Sequence, residues 1–577
     1  MTIHRHILIF FITLFFYTHL NAKELPFETF TDRFIESFWE YQPDWAIFNG
    51  YYKHDTKVII PNAANQKAYR QFLAQHLTAL RQYSVADLSS SQQSDYYIIE
   101  NLLLKGIWYH DELQSGTWAP NVYNVGSVIG LILNTPYKSL EDRLKVIYQR
   151  LMQVPAYYAA AQANITQPTK EHTQLAIDQN QGTYNLFNKN LPESLEKSQL
   201  DKEWKNKIKK ANDKAQSAVK SYITFLEKTQ KDLEKNGARE FRLGKALYDK
   251  KFKLEIFSGF SAEEVYQRAV KEKERAHKEM AVLAQKIWPN YFPKKSFPQD
   301  TLVGIKTLID EMAKKHVARE QFVAEIQRQI PILAKFVDEK QLLDQDPTKP
   351  LVVRATPEYQ RGIAGASINA PGPYDAAANT YYNVTPLDHY TPEQAESYLR
   401  EYNHWILQIL NIHEAIPGHY TQLLHSNRSK SLTKSLFGNG AMIEGWAVYS
   451  ERMMLENGYG NHDPELWFMY YKWNLRVIIN TILDYQVHVL GMKKSDGLNL
   501  LMNEGFQERT EAEGKWRRVT LTQVQLTSYF TGYAEIYKFR EELKAEQGEK
   551  FDLKSFHNTF LSYGSSPVPI IIELMRK

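Results

Sequence analysis

From residue 26 to residue 345 the sequence keeps returning to one pattern: apolar side chains a helical turn apart on a polar background. The run LPFETFTDRFIESFWEY sets Phe27, Phe30, Phe34 and Phe38 on one stripe and then meets Pro43, a helix stop. EDRLKVIYQRLMQV repeats the arrangement over residues 141–154 and ends at Pro155. Residues 190–235 read as one long lysine-rich amphipathic helix whose basic face is solvated surface, and residues 262–288 as another long helix. No fixed-period repeat accompanies them, which disfavours a solenoid. A chain of this texture is mainly α.

The texture changes near Pro347. Residues 346–386 are rich in Gly, Pro and Ala and contain two β-prone runs, LVVRA and NTYYNV. Helix then returns in TPEQAESYLREYNHWILQILNIHEA, with Thr391 as N-cap and Pro392 and Glu393 in the first turn. The expected architecture is a large two-lobed helical body with a cleft and a small β element. Residues 23–345 form a helical N-terminal lobe and residues 346–577 a catalytic lobe. No Gly/Ser linker separates them, so the two are expected to be one structural unit.

Composition narrows the function. A formal net charge of +4 over 577 residues argues against a nucleic-acid partner. There is no cysteine, which excludes disulfides, thiolate metal sites and a cysteine-linked lipid; any metal must be held by His and carboxylates. MTIHRH precedes an apolar stretch at residues 7–17, followed by THLNA with Ala22 at a plausible cleavage point. Residues 1–22 therefore read as a signal peptide, too short in its apolar core to span a bilayer. The mature protein is expected to be exported, periplasmic or secreted, without stable membrane insertion.

Residues 413–419 read HEAIPGH. In the His-Glu-x-x-His pattern of zinc peptidases the histidines are four residues apart, so a regular helix turns both to one ion. Here they are six apart. On an unbroken helix His419 would fall roughly 120° off the face of His413. The inserted residues supply a remedy. Pro417 lacks an N–H and clashes with the carbonyl one turn back, and Gly418 accepts unusual dihedrals. A helix bulge looping out two residues there would return His419 to His413.

A catalytic zinc wants a third protein ligand. Glu444 in MIEGWAVYSE is the candidate, followed by Gly445 and Ala447, which would let two helices approach closely. Glu451, seven residues on, lies on about the same helical face and could orient a ligand through a hydrogen bond. Other features are candidates for the cleft. NTYYNV could be an edge strand presenting Asn379, Tyr381, Tyr382 and Asn383 to an extended peptide, or a plain hairpin. His557 is either a cleft residue or a satisfied structural histidine. Arg517 and Arg518 could grip a substrate carboxylate or form an exposed basic pair.

HEAIPGHYTQ with EGWAVYSE resembles the bacterial "domain of unknown function 885" family and, through it, the gluzincin clan of metallopeptidases. YQPDWAIFNGYYKHD, YYNVTP and FDLKSFHNTFLSYGSSPVPIIIEL look like the same family, so the resemblance spans nearly the whole mature chain. EGWAVYSE is also similar to the third-ligand segment Asn-Glu-Gly-Phe-Ala of the clan's aminopeptidase branch. The resemblance implies His413, His419 and Glu444 as ligands of one zinc per chain, with Glu414 as general base. It also implies a helical fold like that of the angiotensin-converting-enzyme and Taq-carboxypeptidase branches. SYFTGYAEIYKF is similar to the stretch Arg-Tyr-Phe-Val-Ser-Phe of the former branch, whose tyrosine stabilises the oxyanion. That match falls on Tyr529, with Ser528 in place of the arginine; Tyr533, one turn later, is the rival.

The leading expectation is thus an exported zinc-dependent peptidase acting on short peptides, with Glu414 moving the proton and a tyrosine meeting the oxyanion. Kinship favours an oligopeptidase or carboxypeptidase, while the EGWA segment keeps the aminopeptidase direction open. Manganese and cobalt also suit a His, His, Glu set. The competing function is a catalytically inactive peptide-binding protein with a metal-site fold. It predicts loss of Glu414 or of a ligand, and all four residues are present. A helical scaffold gives no reason for HE, PGH and EGWA to occur together.

Overall fold

A computed structural model describes residues 25–356, 366–369, 372–374 and 379–577; the expected signal peptide lies outside them. The phenylalanine stripe does what its spacing requires. Helix Phe27–Tyr41 buries Phe27, Phe30, Phe34 and Phe38, and Pro43 opens the next helix, Pro43–Phe48. Leu140–Leu151 and Ala262–Tyr291 follow the same logic, the second begun by a capping box between Ser261 and Glu264. Residues 190–235, however, are not one helix. Leu191–Lys197 ends at Ser198, and the Asp201 side chain accepts the Trp204 N–H to start Lys202–Asn236. A good N-cap there outcompetes a continuing periodicity. The same thing happens after Thr391. Pro392–Glu401 begins on the Thr391 capping box and stops, and Asn403 caps a second helix, His404–Glu414.

Three strands form the only sheet among the described residues: β1 (Leu351–Ala355), β2 (Ala366–Asn369) and β3 (Thr380–Val384), ordered β1-β3-β2. β3 runs parallel to β1, with Leu351 opposite Thr380, and antiparallel to β2, with Ala366 opposite Val384. This overturns the edge-strand expectation: the NTYYNV run is the middle strand, its backbone paired on both sides. Tyr382 is fully buried from it, and its hydroxyl donates to Asn411 in helix His404–Glu414 at 3.0 Å. The free edges belong to β1 and β2.

Apolar packing falls into three cores. One gathers the first helices around Leu436 and Phe437, and a second lies between Ile47 and Leu226. The largest takes Phe241 to Leu343 together with the segments from Tyr382 onward. The packing therefore does not divide at residue 345. Helix Pro464–His488 runs through this core with almost every residue buried, which is why its sequence carries no polar face. No described helix is long and apolar enough to cross a membrane.

Candidate metal centre

The stretched motif does not bulge within one helix; it separates two. His404–Glu414 ends, residues 415–418 turn the chain through a cis Ile416–Pro417 peptide, and His419–Arg428 begins. The Gly418 N–H donates back to the Ile412 carbonyl at 3.0 Å. From the neighbouring helix Gly440–Glu456, the Trp446 indole N–H donates to the Pro417 carbonyl at 2.9 Å. Gly418 is required by space: a Cβ there would overlap the carbonyl oxygens of His413 and Ile412.

This turn brings the two imidazole rings to 4.8 Å between centroids, with their planes 86° apart. Glu444 completes the set. Its Oε2 lies 3.4 Å from His419 Nε2 and 3.8 Å from His413 Nε2, and one donor atom from each of the three residues lies within 4.8 Å of the others. Ligands about 2.1 Å from a zinc stand roughly 3.4 Å apart at the corners of a tetrahedron, so these donors are spaced to share one ion with a corner to spare. No other group of three such side chains occurs among the described residues.

Glu451 sits behind His413. Fully buried, its Oε1 accepts from His413 Nδ1 at 2.7 Å and from the Trp473 indole at 3.1 Å. That bond makes Nδ1 the donor and turns Nε2 toward Glu444, where it can carry a proton or, with a metal bound, offer its lone pair. Burial alone would lower the His413 pKa, but the Glu451 bond and charge, with Glu414 and Glu444 nearby, overcome it and push it up to about 9. Glu444 goes the other way. Burial would raise it, but the hydrogen bond and charge of His419, with His413, hold it below its ordinary value. Three carboxylates around two imidazoles make a place that holds positive charge, whether a proton or a metal. The residues present fit a divalent cation. Glu414, the last residue of its helix, is half-buried and has no hydrogen-bond partner among the described residues. Burial, with the Glu414 charge adding to it, pushes the Tyr382 phenol up.

Two glycines set the opposite wall. A Cβ on Gly445 would overlap the backbone at Gly532, and one on Gly532 would overlap the Ala441 carbonyl, so Gly440–Glu456 and Ser528–Gln547 cross in backbone contact. The crossing turns the start of Ser528–Gln547, with Tyr529, toward the helix of Glu444; burial first, and then the Glu444 charge, raise the phenol's pKa. Arg518 donates to the Tyr529 oxygen at 3.2 Å and to Gln525 at 2.7 Å. Its oxygen thus accepts from a guanidinium, which polarises the O–H bond.

Several expected site residues lie elsewhere. The Tyr533 oxygen accepts from Arg452 at 3.2 Å, and Arg452 also pairs with Glu456 at 2.7 Å, so the rival tyrosine belongs to a buried ion-pair network. His557 is fully buried, bridging the Leu342 carbonyl and the Tyr449 hydroxyl at 2.7 Å each, and burial drives its pKa down to about 3. It is a structural histidine. Arg517 points to the surface and pairs with Asp178 at 2.9 Å; its neighbour Arg518 is the one that faces the site. On the middle strand, Asn383 is buried and accepts from Arg354, whose guanidinium stacks 3.7 Å over Tyr381, while Asn379, just before the strand, is exposed. None of these four is on a free strand edge. Trp446 and Trp473 went unforeseen as supports. A buried indole N–H needs an acceptor, but nothing local in the sequence says which distant segment provides it.

Fold and site together define a mainly helical protein in which a His, His, Glu cluster, spaced to suit one cation, is built across a broken helix. The chain belongs to the family described as "Bacterial protein of unknown function (DUF885)", whose sequence profile matches residues 43–575. A solved structure described as "a putative lipoprotein of unknown function" from Shewanella oneidensis is 51% identical, with a TM-score of 0.90 over 96% of this chain and 100% of that one. Another, described as a "putative lipoprotein" from Colwellia psychrerythraea, shares the fold at 19% identity, with a TM-score of 0.78 over 95% of this chain and 98% of that one. No curated protein matches the chain.

Proposed function

We propose that this chain is an exported zinc-dependent peptidase of the gluzincin type that hydrolyses short peptides. The observation that carries the reading is the convergence of His413, His419 and Glu444, with the unpaired carboxylate of Glu414 on the residue after the first ligand. A divalent ion held there supplies Lewis-acid activation of water and of the scissile carbonyl. Glu414 takes the proton of the attacking water and returns it to the leaving amine. Tyr529, its oxygen engaged by Arg518, directs its hydroxyl proton at the developing oxyanion. Glu451 and Trp473 keep His413 oriented throughout. The Shewanella relative's description supports export; this chain has no cysteine to bear a lipid, so the form proposed is unlipidated, periplasmic or secreted.

Metal analysis of the purified protein, combined with a peptide library digested by wild type and by Glu414→Gln, tests this. The expected result is one zinc per chain and cleavage that falls by at least ~100-fold in the variant. Zinc without cleavage by either form would leave a peptide-binding protein. Cleavage unchanged by the substitution would remove Glu414 from the chemistry.

A further inference from the structure

Beside the metal centre lies a set of buried charges that the reaction above leaves largely unused. Glu401, Lys472 and Arg476 come from Pro392–Glu401 and Pro464–His488, and Glu511, Lys515 and Arg518 from Arg509–Leu521. Lys472 reaches Glu401 at 2.7 Å, and Arg476 reaches Glu401 at 3.2 Å and also pairs with Glu511. Those two carboxylates are therefore matched by two cations. Lys515, 5% exposed, is left with Glu511 at 3.9 Å, and its Nζ has no hydrogen bond among the described residues. Arg518, three residues on and so on the same helical face, donates among the described residues to the neutral Gln525 and Tyr529.

An uncompensated buried charge is strongly unfavourable. Burial, with the repulsion of Arg476, already pulls the Lys515 pKa down to about 7. The cations are also well placed. Arg518 holds Tyr529, one turn before the Gly532 that packs against Gly445, and Gly445 follows Glu444, so the excess positive charge lies on the side of the site that Glu444 occupies. A lysine and an arginine at that spacing offer a point charge and a planar fork, the pair of donors that suits an incoming carboxylate.

We propose that Lys515 and Arg518 form a subsite for a substrate carboxylate, supplied either by the free C-terminus of a peptide or by an acidic side chain close to the bond that is cut. The proposal rests on the peptidase reading for the nature of its ligand. Its test separates the two. Zinc-loaded Glu414→Gln protein is titrated by calorimetry with a blocked tripeptide as the free acid, with its C-terminal amide, and with amides carrying glutamate or glutamine at the same position. A carboxylate peptide should bind at least tenfold more tightly than its neutral partner. The acid/amide and glutamate/glutamine pairs tell which carboxylate is read. Lys515→Met should abolish the preference and Lys515→Arg should keep part of it. Arg518→Gln, at a half-buried position, carries the same test should the methionine variant not fold. Equal affinities, no binding of any peptide, or a preference undiminished in both Lys515→Met and Arg518→Gln would overturn the subsite. Wild type that cleaves nothing while the preference holds would instead end the peptidase reading and leave the subsite standing.

Discussion

Replacing Gly418 by alanine should pull the two imidazoles apart without touching either. The new Cβ would overlap the carbonyl oxygens of His413 and Ile412, so the turn must open. Overpacking of this kind costs about 1–3 kcal/mol, and the Gly418 N–H bond to Ile412 adds about 1 kcal/mol if it breaks. Unfolding entropy near 2 cal/mol/K per residue makes one kcal/mol worth roughly 1 °C in a chain of this size, so Tm should fall by about 2–4 °C. Metal affinity should suffer far more, because His419 leaves a donor set spaced for a single ion. A chelator-competition titration should show a loss of at least ~100-fold, the upper end of what removing one ligand-orienting bond does. Gly514→Ala is the control. A Cβ at Gly514, in helix Arg509–Leu521, meets nothing within 4 Å, so it should stabilise by about 0.5–1 kcal/mol and leave zinc affinity alone. Wild-type zinc affinity in Gly418→Ala, with Tm within about 1 °C, would refute the claim that this turn makes the site.

Other outcomes follow from the same contacts. Glu451→Gln keeps an acceptor for His413 but removes the charge behind it, and zinc affinity measured by competition should drop about 10–100-fold. Tyr529→Phe should lower kcat by about 10²–10³-fold with little change in KM or zinc content, whereas Tyr533→Phe should leave kcat nearly untouched. Glu535 is 5% exposed, accepts from Ser258 Oγ and the Gly259 N–H at 2.7 Å each, and burial raises its pKa from 4.5 to about 7. The folded state binds that proton more tightly than the unfolded chain. The resulting stability, about 3 kcal/mol, is full below pH 4.5 and lost as pH rises through 7. Glu535→Gln should therefore gain Tm over wild type by about 3 °C more at pH 8 than at pH 4.5. A gap that does not change with pH would sink that account.

Local physics wrote the elements and the chemistry into the sequence. The phenylalanine stripe of Phe27–Tyr41, the Thr391 cap and the strands Leu351–Ala355 and Thr380–Val384 could be read because each depends on side chains within a few residues. His413, His419 and Glu444 could be named as candidates because a chain without cysteine would hold a cation through His and carboxylate, and because their motifs resemble a known family; the proline–glycine step marked where the helix breaks. Boundaries went wrong where a capping side chain beat the periodicity, at Asp201 and Asn403.

What no short stretch contains is which distant segment arrives. NTYYNV becomes a middle strand only because residues 351–355 and 366–369 flank it. His557 is structural because Leu342 and Tyr449 reach its two nitrogens. Arg517 pairs with Asp178 and Arg518 with Tyr529 because helix Arg509–Leu521 docks with one side outward. The backbone crossing at Gly445 and Gly532 decides which end of helix Ser528–Gln547 meets the helix of Glu444. Residue type and spacing determined what the site could be made of. Long-range packing, through contacts between residues tens to hundreds of positions apart, decided which side chains it is made of and which way they point.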